Sequence, residues 1–314
     1  MKFNKETIKN LPVIKQLIVL LQQIQFPSLQ GSSLYDIIKL YLSGIISGGV
    51  THRASAIAFS FFMALFPFAL FLLNLIPFIP LENFQDDFLT FVSQSVPPNT
   101  YDAVEAILKD ILNNSYNGLL SSGFLLSIFL MSNGINALLD GFEMSKNISV
   151  KRGYFRQYAI AIALSLIIAF LLLLTVATLI FVAVLIHQIE TQSGYVSKIP
   201  LLETIRYAFV FLMILLITST LYKFGTRETR KISFISYGSV MTTVLFVLTS
   251  FLFGIYVEKF ARYNELYGSI GTLLVMMFYV WLNCILVLLG FELNAFIFQL
   301  KTIGEKVNPD SKQD

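Results

Sequence analysis

Tyr158–His187 reads YAIAIALSLIIAFLLLLTVATLIFVAVLIH, 30 residues with no Asp, Glu, Lys or Arg among them. The hydrocarbon core of a bilayer is crossed by about 20 helical residues. Inside it only helices and closed barrels satisfy every backbone N–H and C=O. The stretch is too long for a barrel strand and lacks strict two-residue alternation, so it is a membrane helix. Five more apolar stretches flank it: Ala54–Pro80, Gly118–Leu139, Arg206–Tyr222, Phe234–Val257 and Gly268–Leu300. The expected fold is therefore all-α: a polytopic bundle of six transmembrane helices.

Composition agrees. Hydrophobic residues make up 56% of the chain, charged residues only 13%, and the mean hydropathy is +0.73. Soluble domains carry about 25% charged residues. The longest connection, Leu81–Asn117, has 37 residues, too few for a second soluble domain. The expected organisation is a first part over residues 1–50, a six-span membrane domain over 51–304 and a polar tail over 305–314. The single cysteine, Cys284, falls inside the last span, so no disulfide framework is expected. No cleavable leader is expected either, because Lys15, Gln16, Gln22 and Gln23 interrupt the first apolar run.

Basic residues set the orientation. Loops on the cytoplasmic side keep an excess of Lys and Arg. The segment before the first span, the loops after the second and fourth spans and the tail together hold 17 of the 22 basic residues. Both termini are expected in the cytoplasm. On that same side, Leu11–Phe26 and Leu34–Ser47 have the mixed faces of amphipathic helices lying in the headgroup layer, and Gly48-Gly49 turns into the first span. On the opposite side, Pro97-Pro98 precedes an amphipathic helix with Val104, Ile107, Leu108 and Ile111 on one face.

Several chemistries lack their residues. The two histidines, His52 and His187, fall at opposite membrane faces. No H-E-x-x-H pattern, phosphate-binding P-loop or G-x-S-x-G elbow occurs. The chain is expected to be no enzyme, to need no metal or cofactor and to bind no nucleic acid.

Polar groups inside apolar spans cost several kcal/mol unless paired or hydrated, which marks them as candidates for function. Glu292 lies about 36 Å along the last helix from Gly268, near the cytoplasmic boundary. Arg53 opens the first span there and Asp140 closes the second. A polar cluster of Arg53, Asp140, Glu292 and Asn294 is expected, with Asn133 and Asn136 one to two turns deeper. Its plainer reading is a structural ion pair among helix-end charges. Phe66-Pro67 interrupts the first span and is expected to bend it beside a cavity.

Arg53-Ala-Ser-Ala-Ile-Ala-Phe with Leu65-Phe66-Pro67 resembles the first-span signature of the YihY/virulence factor BrkB membrane proteins. Tyr267-Gly268-Ser-Ile-Gly271, followed by Leu289-Gly290-Phe-Glu292-Leu-Asn294, resembles that family's last-span signature. Leu221-Tyr222-Lys-Phe224 and Gly238 fall where the family has them, although Gly225-Thr226 departs from a proline that relatives often carry. The similarity covers roughly residues 35–300. It implies a multi-pass inner (plasma) membrane protein of the bacterial envelope, in a family once labelled ribonuclease BN. Transport of a lipid or other amphiphile is the activity it implies for some members, and the missing P-loop leads us to expect such transport without ATP. Membrane lipids are the expected partners, with anionic headgroups at the cytoplasmic face. A homo-oligomer or envelope protein partners stay open, as does a purely structural envelope role.

Overall fold

The computed structural model describes residues 49–76, 84–95, 119–193, 199–260 and 269–307 as continuous segments, with scattered positions at 19–35 and 105–112. Seven helices fill the continuous segments: α1 (Val50–Leu75), α2 (Phe84–Ser95), α3 (Leu119–Glu143), α4 (Tyr154–Ser193), α5 (Ile199–Gly225), α6 (Tyr237–Phe260) and α7 (Ser269–Val307). A 3₁₀ turn, Thr229–Lys231, sits between α5 and α6.

Four of these, over Tyr154–Ala183, Thr204–Gly225, Tyr237–Val257 and Leu273–Leu300, are long and apolar enough to cross a membrane. A fifth is α1, counted as one span across a 44° bend between Val50–Leu65 and Pro67–Leu73. Among the described residues, then, four or five helices meet that measure, against six expected. The stretch expected as the second span forms the 25-residue helix α3.

The expected bounds shift in understandable ways. Gly49, with φ of 61°, adopts the left-handed conformation that glycine tolerates and starts α1 before Ala54. Gln25–Phe26 pairs antiparallel with Ser32–Ser33, so the expected interfacial helix does not run to Phe26. Val19, Gln22 and Gln23 are helical and exposed; the other residues of Leu11–Ile24, and almost all of Leu34–Ser47, lie outside the described residues. Of the helix after Pro97-Pro98, only isolated positions are described, among them an exposed Lys109–Glu105 ion pair at 2.9 Å. α2 was not foreseen. Its Phe84 is buried with Ile76, Leu112 and Ile180, covering one end of α1 and α4.

Helix packing follows chain order round a ring: α1 against α3, then α4, α5, α6 and α7, which closes back onto α1. Short loops (144–153 and 226–236) join α3 to α4 and α5 to α6, as expected for adjacent antiparallel helices. The ring is filled at the end where those loops lie. Phe142 and Phe291 stack with centroids 4.0 Å apart, and Tyr222 meets both edge-on. All three are buried.

Candidate functional site

Arg53, in the first turn of α1, reaches across to α7 and forms an ion pair from Nη2 to Glu292 Oε1; both side chains are under 5% exposed. Its Nη1 donates to the Gly141 carbonyl at the end of α3, at 2.7 Å. The second oxygen of Glu292 accepts from Ser145 Oγ at 2.7 Å and Asn147 Nδ2 at 3.2 Å, both in the loop after α3. A charge buried in apolar surroundings is tolerable when paired and hydrogen-bonded. Glu292 meets that condition with three partners, and one pair thereby ties α1, α3 and α7 together.

The other two residues expected in this cluster lie elsewhere. Asn294 follows Glu292 by two positions, which turns its side chain about 200° round the helix. It faces α6 instead, where Oδ1 accepts from the Gly238 N–H and Nδ2 donates to Ser236 Oγ, each at 2.8 Å. Asp140 precedes Gly141 but faces α4. Its carboxylate accepts from Gln157 Nε2 at 2.5 Å and from Asn136 Nδ2 at 3.3 Å. Tyr158 Oη donates toward Asn133 Oδ1 at 3.0 Å and the Phe129 carbonyl at 3.1 Å.

Asn133, Asn136 and Asp140 thus form a stripe along α3, completed by Gln157 and Tyr158 of α4. Asn133 and Asp140 are exposed. The stripe spans about 10 Å of helix, and Leu125, Leu126 and Phe129 continue the same helix as exposed apolar surface.

The motif glycines have a packing role. A Cβ on Gly290 would lie 1.9 Å from Thr242 Oγ1, and one on Gly238 would lie 2.1 Å from the Gly290 carbonyl. The α6 and α7 backbones touch there. Tyr222 completes the junction, its Oη sharing a 2.6 Å bond with Thr242 Oγ1 and donating to the Val287 carbonyl at 2.8 Å. Gly271 sits in the first turn of α7, while Tyr267 and Gly268 lie outside the described residues. Pro67 stands at the bend of α1. An apolar cavity of about 240 Å³ lies beside the bend, lined by Phe61, Ala64, Phe68, Gly134 and Ile168.

Residues 42–314 match the virulence factor BrkB family. The chain belongs to the BrkB family. It is 30% identical to YfkH of Bacillus subtilis, named as ribonuclease-like, over 82% of this chain and 93% of that protein. It is 25% identical to a UPF0761 membrane protein of Coxiella burnetii, over 77% of this chain and 86% of that one. A UPF0761 membrane protein of Histophilus somni is 21% identical over 85% and 92%. No solved structure matches.

This BrkB-family chain also carries a second buried ion pair that sequence reasoning did not single out. Arg152, in the loop after α3, caps the end of α5: Nη1 and Nη2 donate to the Gly225 and Phe224 carbonyls at 3.0 Å each. Its Nε lies 4.0 Å from Glu143 Oε1, and its own N–H donates to the same carboxylate. Burial pushes the guanidinium down to about 10, with the Glu143 charge opposing. Burial likewise raises the Glu143 carboxyl, against the pull of the Arg152 N–H and charge. Nearby, Glu228 Oε1 accepts from the Ser149 and Val150 N–H groups at 3.0 Å, joining the two basic loops. The available signal was helix chemistry: a helix end leaves unpaired carbonyls that a neighbouring arginine can satisfy. Among the described residues, no group of three His, Cys, Asp or Glu could hold a metal ion.

Proposed function

We propose that this protein is a six-span protein of the bacterial inner membrane, with both termini cytoplasmic, that moves a lipid or similar amphiphile across the bilayer without ATP. The carrying observation is the α3–α4 stripe. Polar side chains on the lipid-facing surface of a membrane helix are costly unless something polar meets them. A headgroup sliding along Asn133, Asn136 and Asp140 while its chains stay in the bilayer is such a partner. The bent α1 and the apolar cavity beside it supply room for the helices to yield.

The ring packing supports six crossings, since α3 takes a full place between α1 and α4. The hydrogen bonds of Glu228 support placing both basic loops on one side. Tyr154, Phe155 and Tyr237, all strongly exposed at that end, fit an interfacial aromatic belt. The basic residues Lys146, Lys151, Arg227 and Arg230 attract anionic headgroups from the adjoining leaflet.

The second reading is a structural envelope protein, favoured by the density of buried bonds at the loop end. RNA cleavage, which the ribonuclease-like name of the Bacillus relative brings to mind, finds no metal-holding group of His, Cys, Asp or Glu among the described residues; our reading is of a protein that is no enzyme. The test is reconstitution into vesicles containing a phospholipid fluorescent at its headgroup, followed by an impermeant quencher. Transfer faster than in empty vesicles is expected. Equal rates across several lipid classes would remove the transport reading and leave the structural one.

A further inference from the structure

A groove of about 1010 Å³ opens between the start of α6 and the later part of α7, on the opposite side of the ring from the α3–α4 stripe. We infer that it is a binding site for one anionic phospholipid of the leaflet on the basic side. The volume stands at the upper end of the roughly 300–1,000 Å³ usual for small-molecule sites, enough for a headgroup and part of its chains.

The lining is divided along its length. Lys231 ends the 3₁₀ turn and Ser233 and Ser236 come from the loop before α6, while Val240, Ile297 and Phe298 line the helical part. Among the described residues, no acidic one lines it. The two lysines beside the loop differ in use. Lys223 turns inward and donates to the Ile232 carbonyl at 2.5 Å, holding the loop backbone in place. Lys231 is exposed and makes no ion pair among the described residues, so its charge is available. A cation at the headgroup level above an apolar channel complements a negatively charged headgroup with hydrocarbon beneath it. The lining residues Ile235, Tyr237 and Val240 are themselves exposed, so the groove opens to the outer surface of the bundle.

This inference rests on the reading of the basic side as the face that meets lipid headgroups, but not on transport. The test uses the full chain in detergent with phosphatidylglycerol or phosphatidylcholine, each carrying a photoreactive group in one acyl chain. Cross-linked peptides are located by mass spectrometry. Phosphatidylglycerol is expected to label the α6–α7 peptides in preference to phosphatidylcholine. Lys231→Gln should lower that yield about fivefold while Lys231→Arg keeps it, and Met241→Trp, which enlarges a side chain lining the groove, should abolish it. Equal labelling by both lipids, labelling spread evenly over all outward faces, or indifference to Lys231→Gln would overturn the site. Vesicle transfer is read separately: intact transfer without labelling removes only the site, and labelling without transfer removes only the transport reading.

Discussion

Two polar sites lie near the same end of the bundle and use similar groups in opposite ways. The Arg53–Glu292 pair is closed from the membrane, and each carboxylate oxygen has protein partners. The α3–α4 stripe is open, and Asp140 and Asn133 remain exposed beside their partners. The first arrangement spends its polar groups on holding three helices in register. The second leaves polar side chains exposed on the surface of α3, the feature from which the proposed headgroup path is drawn. Burial, not residue type, separates the two arrangements.

The largest expected effect breaks the closed site. Removing one partner of a buried pair leaves an uncompensated charge and costs about 3–5 kcal/mol. Arg53→Ala or Glu292→Leu should therefore sharply reduce folded protein, read by size-exclusion chromatography and thermal unfolding in detergent. The exchange Arg53→Glu with Glu292→Arg should recover part of that loss if the coupling is pairwise; losses that simply add would break the proposed lock. Next comes the α6–α7 crossing. Gly290→Ala should cost about 3 kcal/mol, since the added methyl has no space beside Thr242. An unchanged melting temperature would contradict the close approach. Arg152→Ala should cost about 2 kcal/mol by stranding the Phe224 and Gly225 carbonyls. Arg152→Lys should recover little, because an ammonium lacks the planar fork that reaches both carbonyls. Smallest in stability is the open site: Asp140→Asn should shift unfolding by less than about 1 kcal/mol, as at other exposed positions. A loss as large as that of Glu292→Leu would erase the contrast between the two sites.

Much of the fold was legible in the apolar runs, because hydrocarbon demands long uncharged helices and the chain obeys over Tyr158–His187 almost without exception. The bend at Pro67 was legible for a similar reason, a missing backbone donor. The Arg53–Glu292 contact was approachable because two buried opposite charges near one membrane face have few other solutions. Grouping Asn294 with Glu292 ignored helical geometry, since positions two apart face opposite ways. Asp140 was misplaced by judging depth in the membrane without judging the face of α3. Arg152 and Glu143 escaped notice because charges in loops and at helix ends are ordinarily solvated, and nothing local says that these two are buried. The Gly238–Gly290 approach depends on which helices become neighbours, information that lies outside either motif.

The central claim is that headgroups travel along the α3–α4 stripe, and one paired measurement on Asn136→Leu/Asp140→Leu tests it most directly. Thermal unfolding and phospholipid transfer are recorded on the same reconstituted preparation. The expected result is a folded protein, its melting temperature lowered only by what stranding the buried Gln157 amide costs, about 1–3 kcal/mol, with transfer reduced at least about tenfold, equivalent to roughly 1.4 kcal/mol in the barrier. Unaltered transfer in a folded double variant would contradict the claim.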